Sequence, residues 1–421
     1  MKLGENKQER SIEIQRLLPQ GSNETYNLQI DETNFETYPV HHVKLGFPKY
    51  RITNTRTKFD QVLYIKNNNH IDSEFFSDHE RLDVQEAQHN ILQSVYHKKG
   101  LYIRFENKVK QDDPLVMSID GFIISGNRRL AIFRDLVESD SRNYNYLKTV
   151  KIVIYPFEVD SLKVEKLEAI LETDESTKLN FEWINVAMKF IDIMKGYTDP
   201  DHGYDEILSN YSNSEYINGK RKDKQISEID MWIDAGNHAL RLVDSEQMNK
   251  EDIIQQQQVF KDWAKNSRSF TGSHIKKRIY DRVAETIIKT DSSDIGDRKY
   301  KYINHFRKHF DRWFILEIEQ NDLILKSPIE QQVAIEKRLK EEPKEIIFND
   351  VIDKINLFND QDRFKSKANA LLKLLEEVSS KLNLSTSVIT DNTIWGGVED
   401  HVKEIERLLK KIKIEYKKNN K

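Results

Sequence analysis

The 421-residue sequence has no cysteine. That absence excludes disulfides, thiolate metal sites and thiol catalysis, and it fits a reducing compartment. Glycine and proline are scarce, at 14 and 8 residues. Together with abundant Lys, Glu, Leu and Ile, this scarcity points to a helix-rich protein. No apolar stretch approaches the roughly 20 residues that span a bilayer, and the polar N-terminus has no signal-peptide core. The expectation is a soluble cytoplasmic protein without a membrane partner. Charge of one sign is also lacking: the formal net charge is −4, so any attraction to nucleic acid must come from local basic patches. There is no phosphate loop with a Walker lysine, no G-x-G-x-x-G and no G-x-S-x-G elbow. His305 and His309 share helical metal-ligand spacing, but no glutamate follows His305 as a zinc-protease motif requires.

What is present begins with bulk. The 19 Phe, 17 Tyr and 5 Trp supply enough volume for packed cores despite a mean hydropathy of −0.72, and the length suggests two or three domains. The most informative stretch is 115–138. Asp120-Gly121 lies between two short apolar runs and predicts a hairpin with strands at 115–119 and 122–125, closed by a type I′ turn. Leu130, Phe133 and Val137 then recur at helical spacing, with Ile132 and Leu136 widening the buried face, so a helix begins near Arg128. Gly126 sits where strand must turn into helix. The first amides of such a helix have no internal acceptor and carry the positive end of the macrodipole. Strand, glycine, Arg128, Arg129 and helix thus form a cradle for phosphate oxygens.

The run Ile124-Ser125-Gly126-Asn127-Arg128-Arg129-Leu130-Ala131 resembles the second conserved box of the ParB/sulfiredoxin superfamily. Tyr50-Arg51-Ile52-Thr53-Asn54-Thr55-Arg56 is similar to its first box, where Asn or Pro shortly before an Arg follows a strand. Glu172 to Phe181 resembles the segment that leads ParB proteins into their helix-turn-helix, with Glu172, Leu179 and Asn180 retained and Thr173 and Ser176 replacing its Asn and Arg. Order and spacing agree over residues 40–245. The resemblance implies an α+β protein: a ParB/sulfiredoxin-like N-terminal mixed α/β domain with all-α central and C-terminal domains. It implies binding of a nucleoside triphosphate, CTP or ATP, with Mg²⁺, coupled to DNA association. Arg56, Gly126, Asn127, Arg128 and Arg129 would hold the phosphates, and Glu172 would act near the metal and in any catalysis. Asp120, close to the loop, is a further candidate Mg²⁺ ligand, with its turn chemistry as the competing role. Superfamily members also include nucleases and ATPases of mobile-element and phage-defence systems, and a DNA-binding adaptor without nucleotide is a third reading. Sulfiredoxins carry their reactive cysteine where this chain has Asn127, so thiol chemistry does not transfer.

Along the chain, residues 1–25 read as a flexible polar arm, 26–160 as the nucleotide-binding domain, 161–250 as a helix-turn-helix-like domain and 251–421 as a helical C-terminal domain. Within 26–160, a helix at 84–96 precedes an alternating strand, Leu101 to Phe105, and Val150 to Ile154 is a β-branched strand. Asn180 is placed to cap a helix that Gly196 ends. Three short helices follow to 243, with Gly236 dividing the last two and the basic run Lys220, Arg221, Lys222 and Lys224 entering the recognition helix. Lys299 to Trp313 interleaves aromatic and basic residues, as a nucleic-acid surface or an amphipathic core helix would. Gly396-Gly397 marks a turn. Leu/Ile stripes at 365–383 and 398–416 suit pairing with each other or with a second subunit as a homodimer.

Overall fold

The computed structural model describes residues 2–31, 34–68, 71–96, 100–173, 182–211, 216–217, 221–244, 248–270, 272–290, 298–385 and 395–419. An N-terminal mixed α/β region is followed by a large all-α region. The first holds β1 (Thr25–Gln29), β2 (Phe35–Pro39), β3 (His41–Lys44), β4 (Lys49–Tyr50), β5 (Leu115–Ser118), β6 (Phe122–Ser125) and β7 (Thr149–Tyr155). Strands β1 and β2 form an antiparallel ribbon, and the other five form a mixed sheet in the order β3-β7-β5-β6-β4. The helices of this region are α1 (Lys7–Leu17), α2 (Lys58–Asn67), α3 (Leu82–Tyr96), α4 (Leu101–Glu106), α5 (Asn127–Ser139) and α6 (Leu162–Thr173).

Alternation along the strands splits the core into two layers. Leu115, Met117, Ile123, Val150 and Ile152 face one way and pack with Ala87 and Leu92 of α3 and Leu130 and Phe133 of α5. Val116, Ile124, Val153 and Tyr155 face the other way and pack with Leu28 of the ribbon and Val164 and Leu167 of α6. Burial on both faces explains why β5, β6 and β7 are almost uninterrupted apolar runs.

Several expectations give way to the structure. The N-terminal residues are not an arm: Asn6 caps α1 by accepting from the Glu9 amide, and Arg10, Ile14 and Leu17 are buried. Arg10 donates to the Asp120 carbonyl and pairs with Glu80, which ties α1 to the hairpin tip. The hairpin exists, but its loop is not type I′. Only Gly121 has a positive φ, at +90°, and its amide donates to the Ser118 carbonyl at 3.0 Å. The connection is therefore a three-residue loop closed by a left-handed glycine. Residues 101–105 are the helix α4 rather than a strand, because Leu101 and Phe105, four apart, both turn inward and the Phe105 ring meets Phe133 edge to face at 4.8 Å. Gly236 does not divide two helices.

The all-α region continues with α7 (Trp183–Lys195), α8 (Pro200–Tyr211), α9 (Lys222–Asp244), α10 (Lys250–Gln255), α11 (Gln257–Arg268), α12 (His274–Lys289), α13 (Lys299–Gln320), α14 (Pro328–Glu341), α15 (Lys344–Ser385) and α16 (Trp395–Asn419). Gly236 lies in the middle of α9, where an added Cβ would stand 2.9 Å from Met188 Cε and 3.0 Å from Ala187 Cβ. It is a close-packing glycine between α7 and α9. Phe306, Phe310 and Trp313 of α13 are buried; Phe306 stacks on Tyr280, and Phe310 and Trp313 meet Phe270 and Phe306 edge to face, so these aromatics build core rather than a nucleic-acid surface. His309 is buried as well. Gly396 and Gly397 fall within the first turn of α16. The chain divides into two compact units, 1–348 and 349–421. In the second, Leu371, Leu372, Leu408 and Leu409 are exposed.

Candidate functional site

Strand β6 ends at Ser125, and Gly126 adopts φ +106° as the N-cap of α5, which begins without a side-chain cap. A side chain at 126 would be strained by that φ and would meet Leu115 Cδ2 at 2.5 Å and Arg129 Nη2 at 3.2 Å. The first backbone bond of the helix is Leu130 N–H to the Gly126 carbonyl, so the preceding amides have no intrahelical acceptor. Asn127 locks the start in place: its Nδ2 donates to the Ile123 carbonyl at 2.8 Å and its Oδ1 accepts from the Arg51 amide at 3.3 Å.

This helix start opens onto a cleft of about 290 Å³. Asn54, Arg56, Gly126, Asn127, Arg128 and Arg129 line it, joined by Arg104, Lys110, Asp112 and Asp113 from the segment after α3. Five basic residues thus meet two acidic ones on one lining. The Arg129 guanidinium donates to the carbonyls of Asp113 at 2.7 Å and Pro114 at 3.3 Å, which makes it a strap for the loop before β5. Arg104 pairs with Asp112 at 2.7 Å. Asn54 caps the short turn that carries Arg56, accepting from the Arg56 amide at 3.0 Å. Two first-turn arginines oppose the helix macrodipole.

The structure brings together all five residues expected to hold phosphate, from chain positions about seventy residues apart. It does not bring Asp120 to them. Asp120 sits at the hairpin tip, where its carboxylate accepts from the Ser118 hydroxyl and from the Val159 amide at 3.2 Å, and it is outside the cleft lining. Glu172 follows Leu171, which lines the cleft, but its side chain lies outside the described residues, as do 174–181 and Lys220. No cluster of three metal-ligating side chains occurs among the described residues. The rest of the basic run is exposed on α9 and its entry and is partly neutralised: Arg221 pairs with Asp223 at 2.9 Å and Lys222 with Asp205 at 2.6 Å.

Sequence reasoning passed over Arg51 in favour of Arg56. Arg51 is fully buried, donating to Glu168 Oε2 at 2.6 Å and Glu165 Oε1 at 2.5 Å of α6. Lys189 of α7 closes on Glu165 at 2.6 Å, and the Thr55 amide reaches Glu168 at 3.2 Å. Burial raises the Glu165 carboxyl, but Arg51 and Lys189 outweigh it and hold the group below its ordinary value. The spacing of Glu165 and Glu168, one turn apart on a helix with Val164 and Leu167, was the available signal. This network fastens the sheet to the helical region directly behind the cleft. Comparison of the chain with family models, curated proteins and solved structures finds no match.

Proposed function

We propose that the protein binds a phosphoryl anion, in its fullest form a nucleoside triphosphate, across the start of α5. The observation that carries this reading is the uncapped helix N-terminus opening onto a lining with five basic and two acidic residues. Helix-start amides and arginine forks are the donors that phosphate oxygens take best. Arg128 and Arg129 are both ligands on this reading, Arg129 also holding the 113–114 carbonyls. The ParB/sulfiredoxin resemblance supplies the wider form: CTP or ATP with Mg²⁺, coupled to DNA through the helical region. The Arg51–Glu168 joint behind the cleft supports such coupling, since it ties the turn before Arg56 to α6 and α7. A Mg²⁺ brought in largely hydrated on the phosphates fits this lining better than an ion held by a protein cage.

Calorimetric titration with ATP and CTP, each with Mg²⁺, tests the reading. Charge-assisted hydrogen bonds are worth about 1.5–3 kcal/mol, so Arg128→Ala should weaken binding about tenfold or more with the fold intact. Equal affinity in wild type and Arg128→Ala would place the ligand elsewhere.

A further inference from the structure

We propose that the outer face of the β1–β2 ribbon is a nucleobase platform, so that the cleft selects nucleotides over other polyphosphates. This inference rests on the phosphate reading above and goes on to assign the ribbon residues of the same lining. Strand register pairs Gln29 with Phe35 and Asn27 with Thr37, and alternation puts Asn27, Gln29, Phe35 and Thr37 on one face of the ribbon. The other face carries Leu28, which is packed in the core under the sheet. Phe35 is 62% exposed, in the sequence Thr33-Asn34-Phe35-Glu36-Thr37, where no apolar neighbour accounts for it. A single exposed phenylalanine is ordinary on any surface. This one differs in its company: Phe35, Asn27 and Gln29 line the same cleft as Gly126 and Arg128.

The lining is chemically complementary to the two ends of a nucleotide. Its cations and helix-start amides suit phosphates. Its ribbon face adds an aromatic ring and two carboxamides. An aromatic ring stacks on any base, and a carboxamide offers a donor and an acceptor in the plane that a base edge requires. Thr37 Oγ1 donates to Asn27 Oδ1 at 2.7 Å, which orients the amide so that its NH₂ is the group presented. A terminal triphosphate, rather than a string of phosphodiesters, fits charge gathered at one end.

The test compares inorganic tripolyphosphate with ATP, CTP, GTP and UTP, each with Mg²⁺, on wild type, Phe35→Ala and Asn27→Ala/Gln29→Ala. In wild type, at least one nucleotide should bind roughly tenfold or more tightly than tripolyphosphate, the scale of one aromatic–base stack. Phe35→Ala should remove that advantage and leave tripolyphosphate affinity unchanged, which also reports an intact fold. The double amide variant should narrow the spread among the four bases. If tripolyphosphate binds as tightly as every nucleotide, the platform is wrong and the phosphate site stands. If tripolyphosphate and nucleotides all fail to bind, both readings fall. If nucleotides retain their advantage in Phe35→Ala, the base is held elsewhere and the platform is overturned.

Discussion

Two clusters of basic and acidic residues in this molecule, one around Arg51 and one around Arg128, differ in their charge balance. Around Arg51, two buried cations meet two carboxylates, and each pairing is short and shielded from water. Around Arg128, five basic residues share an accessible lining with two acids. A buried charge left unmatched costs several kcal/mol, so the inner cluster has to be closed by the protein itself. The outer cluster borders an open cleft, where solvent screens its excess positive charge. The contrast separates an arginine enclosed by two carboxylates from one that lines an open cleft.

The largest effect should come from breaking the closed cluster. Arg51→Ala strands Glu168, which is 1% exposed, and removing one partner of a buried pair typically costs about 3–5 kcal/mol. Urea unfolding of wild type and variant at pH 7 measures it. A loss near the 0–1 kcal/mol typical of exposed pairs would mean that the pair is solvated and that the two clusters do not differ as described. Arg128→Ala, by contrast, should leave unfolding almost unchanged.

A smaller effect follows from pH. Glu165 is held below its ordinary value of 4.5 by Arg51 and Lys189 against the opposing effect of burial. A depressed acid contributes stability that is complete above the unfolded value and is lost as pH falls through the folded one. The stability difference between wild type and Glu165→Gln should therefore be constant from pH 8 to about 5 and shrink below about 4.5. A difference that persists unchanged into strong acid would show that the carboxylate charge contributes nothing to the joint.

The smallest effect belongs to the exposed basic run. Arg221, Lys222 and Lys224 replaced together by alanine should shift stability by about 0.5 kcal/mol or less. If the run touches DNA, the slope of log affinity against log salt should fall by about 0.9 for each phosphate the variant no longer neutralises. An unchanged slope would remove this surface from any DNA-binding role.

What was legible in the sequence was local. Asp120-Gly121 marks a hairpin, and the Leu130, Phe133 and Val137 spacing marks α5, because turn chemistry and one helix face are written in neighbouring residues. The turn type differs from the one Asp-Gly predicts, since Asp120 uses its carboxylate on Ser118 and Val159 instead of adopting a positive φ. Residues 101–105 fit a strand by alternation and a helix by the Leu101–Phe105 spacing, and the tertiary packing against Phe133 decided between them. Gly236 looked like punctuation because close packing against Met188 cannot be seen from one helix alone. In the cleft lining, the stretch Gly126 to Arg129 is readable. Phe35 and Arg104 are not, because they reach the lining only through the tertiary fold. The role of Arg51 depended on Glu165 and Glu168, more than a hundred residues away.

Amide hydrogen exchange with and without tripolyphosphate tests most directly whether the start of α5 is the anion site. Protection should rise in the segment 125–130 and in the 110–114 loop that Arg129 straps, with no change at 221–226. Protection confined to the basic run at 221–226, or none at saturating anion, would contradict the assignment.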